Sequence, residues 1–194
     1  MKILVVGGVA AGASAATKAR RTSEEAEIVL FEKGSYVSFA NCGLPYYIGG
    51  VIEDRDELLL VTPEMFRERF NIDVRINHEV VAVDAARKTV TVKSPDGESV
   101  EGYDKLILAT GGRPITPPIK GIEAEGVYHV FTVPDADRIV SRLEAGTKSA
   151  VVVGGGLLGL EAANALKQLG LETQVVEFAP NLMAVQLDNG GAAM

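Results

Sequence analysis

The chain has 194 residues, a formal net charge of −7, 47% hydrophobic and 23% charged residues, the balance of a mildly acidic globular protein and a poor match for a nucleic-acid partner. No glycine-free apolar run reaches the roughly 18 residues that a membrane-spanning helix needs, so no membrane insertion is expected. The single cysteine, Cys42, cannot close an internal disulfide and points to a reducing, cytoplasmic setting, and no metal-ligating cluster is read.

Lys2 to Val6 is a continuous apolar strand, after which Gly7-Gly8-Val9-Ala10-Ala11-Gly12 opens an alanine-rich helix to about Arg21. This start, with Ala13-Ser14-Ala15 behind it, imitates a secretory signal, but Gly7, Gly8 and Gly12 interrupt the apolar core and fit another motif better. Strand, glycine turn and helix make a dinucleotide-binding opening. Gly7 allows the tight turn, Gly12 lets helix and strand pack closely, and the helix N-terminus can receive a pyrophosphate. Val9 stands where the middle glycine is usual. The second strand, Glu27 to Phe31, ends in Glu32, about twenty residues past Gly12, where a carboxylate is expected to bond a ribose hydroxyl pair. Lys18, Arg20 and Arg21 gather on the last turn of the helix. They either compensate the helix dipole as solvated cations or hold an anion.

Ser38-Phe39-Ala40-Asn41-Cys42-Gly43-Leu44-Pro45-Tyr46-Tyr47 carries the only sulfur nucleophile. Gly43, Leu44 and Pro45 look like the first turn of a short helix ended by Gly49-Gly50, which would turn backbone N–H groups toward the sulfur. A helix N-terminus supplies only about 0.3 to 1 kcal/mol to a thiolate, so a redox cysteine here needs a second stabiliser, such as an electron-poor cofactor ring. Thr62 then caps a helix from Pro63 to about Phe70. From Asp73 to Val100 apolar and polar residues alternate, through Val74 and Ile76, Val81 and Val83, and Val90 and Val92, with Asp96-Gly97 as a turn. That pattern predicts an antiparallel meander inserted in the nucleotide unit. His78, at a strand entry, is expected to make local hydrogen bonds. Tyr103 to Ala109 returns as a strand ending at Thr110-Gly111-Gly112-Arg113-Pro114, where small residues let backbone approach a ligand.

Pro114, Pro117 and Pro118 mark a connection. Thr132 with Asp135 reads as a capping box before a helix to Glu144, stopped by Gly146. The first architecture then repeats: strand Ala150 to Val153, Gly154-Gly155-Gly156-Leu157-Leu158-Gly159, helix to Leu169, strand Thr173 to Val176, and Glu177. This is a complete G-x-G-x-x-G with an acidic residue in the expected place. An acidic Glu177 with no arginine after it favours NAD(H) over NADP(H). Two dinucleotide units flanking one cysteine imply a hydride donor and a flavin acceptor.

Together these residues resemble the FAD-dependent pyridine nucleotide-disulfide oxidoreductases along the whole chain. The carriers are Gly7 to Gly12, Ser38 to Tyr46, Ala109-Thr110-Gly111 and Gly154 to Glu161. The cysteine segment is similar to the single-cysteine branch of coenzyme A-disulfide reductases and NADH-dependent persulfide reductases. The resemblance implies an α/β fold with two Rossmann-like dinucleotide-binding domains. The FAD-binding segment would run over residues 1–114, with the inserted β-meander. An incomplete NAD(P)H-binding domain would run over 115–194, with its core βαβ at 149–177. FAD would lie on Gly7, Gly8, Ala11, Gly12, Glu32, Lys33, Asn41, Val80, Val81, Ala109, Thr110 and Gly111. NADH, with NADPH as the alternative, would lie on Gly154, Gly156, Gly159, Glu161 and Glu177, with Glu161 near the nicotinamide. Ser14, Lys18, Arg21, Ser38 and Asn41 would line the path of a coenzyme A-like thiol or disulfide.

The implied mechanism runs from NADH through flavin to a Cys42 mixed disulfide. The sulfenic acid cycle of NADH oxidases and peroxidases ranks second, because those enzymes carry a histidine where Ala10 stands. A non-catalytic nucleotide-binding or redox-sensing module is the third reading. Leu157 replaces an aromatic residue that often covers the flavin. Segments expected beyond residue 194, among them the dimerisation domain of the full-length homodimer, are missing, so the 194 residues by themselves are expected to hold FAD weakly and not to turn over.

Overall fold

The computed structural model describes residues 1–192. In chain order the elements are β1 (Lys2–Val6), α1 (Ala11–Thr22), β2 (Glu27–Glu32), α2 (Leu44–Ile48), α3 (Pro63–Phe70), β3 (Asp73–Ile76), β4 (Glu79–Asp84), β5 (Thr89–Ser94), β6 (Gly97–Gly102), β7 (Lys105–Leu108), α4 (Val133–Glu144), β8 (Ser149–Val153), α5 (Leu157–Gln168) and β9 (Glu172–Val176). A four-residue helix, Asn189–Ala192, follows. The chain divides into two compact units, Met1–Phe39 with Leu59–Arg113, and Ala40–Leu58 with Pro114 onward.

The first unit is built on a four-stranded parallel sheet in the order β3-β2-β1-β7. Its central strands β1 and β2 are continuously apolar over 3–6 and 28–31 because both faces are covered. Ile3, Val5, Ile28 and Leu30 pack with Ala13 and Ala16 of α1 and Phe66 of α3. Leu4, Val29 and Phe31, on the opposite face by the two-residue period of a strand, pack against Val90 and Val92 of β5. The antiparallel sheet β4-β5-β6 is therefore the second cover, and its hairpin turns at Gly97, whose φ is +120°.

Two expectations are corrected. Asp73 to Ile76 does not join the meander: it pairs in parallel with β2, Val29 to Asp73 through Glu32 to Ile76. Period-two alternation identifies a strand but carries no information about its partner. On β4, Val80 lies opposite Val92 and packs on the core, whereas Val81, at a register shift between Val80 and Ala82, and Val83 are exposed. A bulge of this kind leaves its extra residue out of the ladder. The predicted helix cap holds, with Thr62 accepting from the Met65 amide at 3.3 Å. So does the local role of His78, whose Nδ1 is 2.8 Å from the Ile76 carbonyl.

Arg20 departs from the picture of a solvated cation. Its guanidinium donates to the carbonyl oxygens of Phe70, Ser23, Glu24, Ala26 and Asn71, so it satisfies acceptors at the C-terminal end of α3 and in the loop that follows α1.

In the second unit β8 and β9 pair in parallel across the crossover helix α5. Helix α4 begins with the expected capping box, the Thr132 amide donating to Asp135 and the Asp135 amide to the Thr132 hydroxyl. The short α2 packs on α5 and α4. Gly49 lies against α5 so closely that a Cβ there would stand 2.8 Å from the Cβ of Ala165.

Candidate functional site

In the first unit the residues expected to hold a dinucleotide meet at the C-terminal ends of β1, β2 and β7. The Gly7 amide donates to the Phe31 carbonyl at 2.8 Å, and Gly7 adopts φ +94°, a region that penalises any side chain. A Cβ on Gly7 would strike the Ala109 carbonyl, and one on Gly12 would strike the Gly7 carbonyl. Gly7, Gly12 and Ala109 are thus fixed by close approach of backbone to backbone. Ala11, Lys33, Thr110 and Gly111 are exposed around them. Glu32, 8% exposed, accepts from the amides of Gly8 and Gly34, each at 2.7 Å. Each of its oxygens keeps a free lone pair, but the carboxylate is also a clasp that closes the glycine turn onto β2. Val80 and Val81 lie on β4, the former half-buried and the latter exposed.

The second unit repeats the arrangement group by group. The Gly154 amide donates to the Val176 carbonyl at 2.8 Å, Gly154 adopts φ +111°, and a Cβ on Gly159 would strike the Gly154 carbonyl. The Gly155 amide donates to Glu177 Oε2 at 2.5 Å and the Ala179 amide to Oε1 at 2.7 Å. The amides of Ala179 and Gly155 hold the Glu177 carboxyl below the usual carboxylate range. Gly155, absent from the sequence-derived set, is the donor that sequence reasoning missed; its equivalence to Gly8 is the signal that would have found it.

Gly156 differs from its neighbours. Its φ of −79° is open to any residue, and a Cβ there would meet nothing within 4 Å. Neither backbone strain nor internal packing accounts for a glycine at the exposed cap of α5. The bare backbone at this cap leaves room for the close approach that a dinucleotide pyrophosphate needs.

Cys42 is exposed and lies inside a 3₁₀ turn, Asn41–Gly43, that leads into α2. The short helix expected here exists, but it has five residues and the cysteine belongs to the turn before it. Gly43 is buried, and a Cβ there would stand 2.9 Å from Leu58 Cδ2, so the turn depends on having no side chain next to the sulfur. The segment is fastened by side chains that sequence reasoning missed. Arg55 donates to both carboxylate oxygens of Asp137, at 2.9 and 2.8 Å. Tyr47 Oη donates to Asp137 at 3.3 Å; burial, then that carboxylate, push its phenol up. Tyr46 Oη donates to Glu161 Oε1 at 3.1 Å, and this hydrogen bond raises the Tyr46 phenol above the ordinary tyrosine range. Partners separated by 82 to 115 residues leave no local pattern in a sequence.

Ser14, Lys18 and Arg21 are exposed on α1 at i, i+4 and i+7, one face of the helix. Among the described residues neither Lys18 nor Arg21 forms an ion pair; Arg20 between them is held by backbone carbonyl oxygens instead. Ser38 is buried with φ +49°, its amide donating to the Gly8 carbonyl at 2.8 Å. Asn41 is exposed beside Cys42.

The large subunit of the NAD(P)H nitrite reductase of Klebsiella oxytoca is 46% identical over 90% of this chain and 18% of its own length. A coenzyme A disulfide reductase of Staphylococcus aureus is 40% identical over 90% of this chain and 40% of its own. Among solved structures, reduced CoADR-RHD of Bacillus anthracis superposes with a TM-score of 0.96 at 47% identity, over 99% of this chain and 35% of that one. An NAD-dependent persulfide reductase from A. fulgidus gives a TM-score of 0.96 at 40% identity, over 100% of this chain and 37% of that one. The chain thus spans well under half the length of these relatives. The family model for pyridine nucleotide-disulphide oxidoreductases matches residues 1–193, and the chain belongs to that family.

Proposed function

We propose that this chain carries the nucleotide-binding and thiol-bearing part of a flavin-dependent reductase that moves electrons from NADH through FAD to Cys42 and on to a small-molecule disulfide or persulfide. The observation that carries the reading is the duplicated glycine and carboxylate clasp, Gly8 with Glu32 and Gly155 with Glu177, accompanying one exposed cysteine. FAD, when bound at Gly7, Gly12 and the Ala109 to Gly111 turn, supplies a two-electron relay between a hydride and a sulfur. NADH would rest its pyrophosphate over Gly156 and the N-terminus of α5.

The rest of the chemistry belongs to Cys42. Its thiolate attacks one sulfur of a disulfide RSSR, forming the mixed disulfide Cys42–S–S–R and releasing one thiolate. Two electrons then cleave that bond, returning the Cys42 thiolate and releasing the second thiolate. The sum is RSSR + NADH + H⁺ → 2 RSH + NAD⁺. Lys18 and Arg21, without ion pairs among the described residues and in line with Ser14 on α1, suit a substrate with phosphates, as coenzyme A has; Arg21 can grip a phosphate as a fork and Lys18 can attract one as a point charge.

The test is made on the full-length protein. It should be yellow, NADH should bleach it, and a long-wavelength band from thiolate beside flavin should appear and be missing in Cys42→Ser. A serine variant that reduces coenzyme A disulfide at the wild-type rate would overturn the proposal.

A further inference from the structure

Tyr46 has no place in the chemistry above, yet its side chain bridges the two elements on which that chemistry depends. It sits four residues beyond Cys42, on α2, and its hydroxyl donates to Glu161 at 3.1 Å. Glu161 is the fifth residue of α5, the helix that the glycine loop opens. The backbone of Tyr46 is equally committed: its carbonyl accepts from the amides of Val51 and Ile52 at 2.9 and 3.2 Å. That closes the turn after α2 and sets Ile52 against Gly43, with 3.3 Å from Ile52 Cδ1 to where a Cβ would stand. Asn164, Gln168 and Val51 line the same small cleft as Tyr46 and Glu161, of about 180 Å³. None of these three competes with the phenol for the carboxylate.

We propose that Tyr46 is a positioning residue for electron entry: its hydroxyl fixes the Glu161 carboxylate, on the helix that follows the nucleotide loop, in register with the Cys42 turn. The inference rests on the function proposed above. A bound dinucleotide has two ends. Glu177 is clasped by Gly155 and Ala179 at the tip of β9, whereas Glu161 is tied to the segment that bears the thiol. Electrons leave the nucleotide at its pyridine end and travel toward the thiol, so Glu161 belongs to that end. Loss of hydride converts a neutral dihydropyridine into a pyridinium cation, and a fixed carboxylate favours the charge as it develops. A carboxylate free to rotate into water does so less well. Tyr46 thereby acts on the rate of hydride departure more than on nucleotide affinity.

Tyr46→Phe removes only the hydroxyl and leaves the ring in place, so its melting temperature should match the wild type. In rapid-mixing experiments on the full-length flavoprotein, the limiting rate of flavin reduction by NADH should fall about threefold to tenfold, with the apparent Kd for NADH changed less than twofold. Glu161→Gln should lower the same rate, and the double variant should be no slower than the slower single one. A second readout needs no turnover. In protein labelled with ¹³C at the tyrosine ζ-carbon, the Tyr46 resonance, assigned by its absence in Tyr46→Phe, should titrate above the ordinary tyrosine range and move down in Glu161→Gln. Flavin reduction at the wild-type rate in Tyr46→Phe, additive losses in the double variant, or a Tyr46 titration indifferent to Glu161 would each overturn the inference. A wild-type flavin that NADH does not bleach would instead remove the proposed function, and this inference with it.

Discussion

Glycines at the two nucleotide loops fall into two physical groups that a sequence motif treats alike. Gly12 is required by the protein's own backbone, since a Cβ would enter the Gly7 carbonyl. Gly12→Ala should therefore cost about 1 to 3 kcal/mol through overpacking, visible as a lower denaturation midpoint before any cofactor is considered. Gly156 meets nothing, so Gly156→Ala should leave stability within about 0.5 kcal/mol and instead weaken NAD(H) binding, measured by calorimetry. Equal losses of stability in the two variants would contradict the distinction. Glu101 is a second residue with a measurable signature. Hydrogen bonds from Arg75, then Lys2, hold its carboxyl below the ordinary range. A depressed native value means that the stabilisation is fully present above the unfolded carboxylate value near 4.3 and is lost as pH falls through the lower native one. Glu101→Gln should cost about 1 kcal/mol at pH 7 and show a smaller drop in urea midpoint across that acid window than the wild type.

At the scale of elements, Arg20 joins the C-terminal ends of α1 and α3 through five carbonyl oxygens. Arg20→Ala should destabilise by about 2 to 3 kcal/mol, because several buried or half-buried acceptors lose a charged donor at once. Arg20→Lys should recover little of this, since an ammonium lacks the planar fork. Denaturation midpoints of the three proteins decide it. The same elements mark the limit of what was legible beforehand. Both glycine loops, the Thr62-Pro63 start and the Thr132–Asp135 box were readable because each is a contact within a few residues, written as spacing. The partner of Asp73–Ile76, the bulge at Val80 and the Arg20 clamp were not, because each depends on tertiary contacts with other elements, β2, β5 and the end of α3, that local spacing does not encode. Alternation announces a strand; burial competition decides where it docks. The Cys42 segment divides in the same way, its short helix legible from Pro45 and Gly49 but its fastening to Asp137 and Glu161 invisible.

For the whole molecule, the cation face of α1 offers a test of the proposed substrate class. Lys18→Ala with Arg21→Ala, neither ion-paired among the described residues, should leave NADH oxidation with a small uncharged disulfide unchanged. The pair should raise KM for coenzyme A disulfide about tenfold or more, the loss of two phosphate contacts. Equal effects on both substrates would show that the face does not read phosphate. Among the described residues no helix is long and apolar enough to cross a membrane. The pairing of β8 with β9 has a consequence of its own. Val151, Val153 and Val176 are each more than half exposed on these strands, and bare valine on a parallel ribbon invites any neighbouring polypeptide to lie down on it. Residues 1–194 produced by themselves would be expected to cloud on concentration and to need a chaperone's company. A fusion or co-expressed segment that shields those valines would keep the preparation clear.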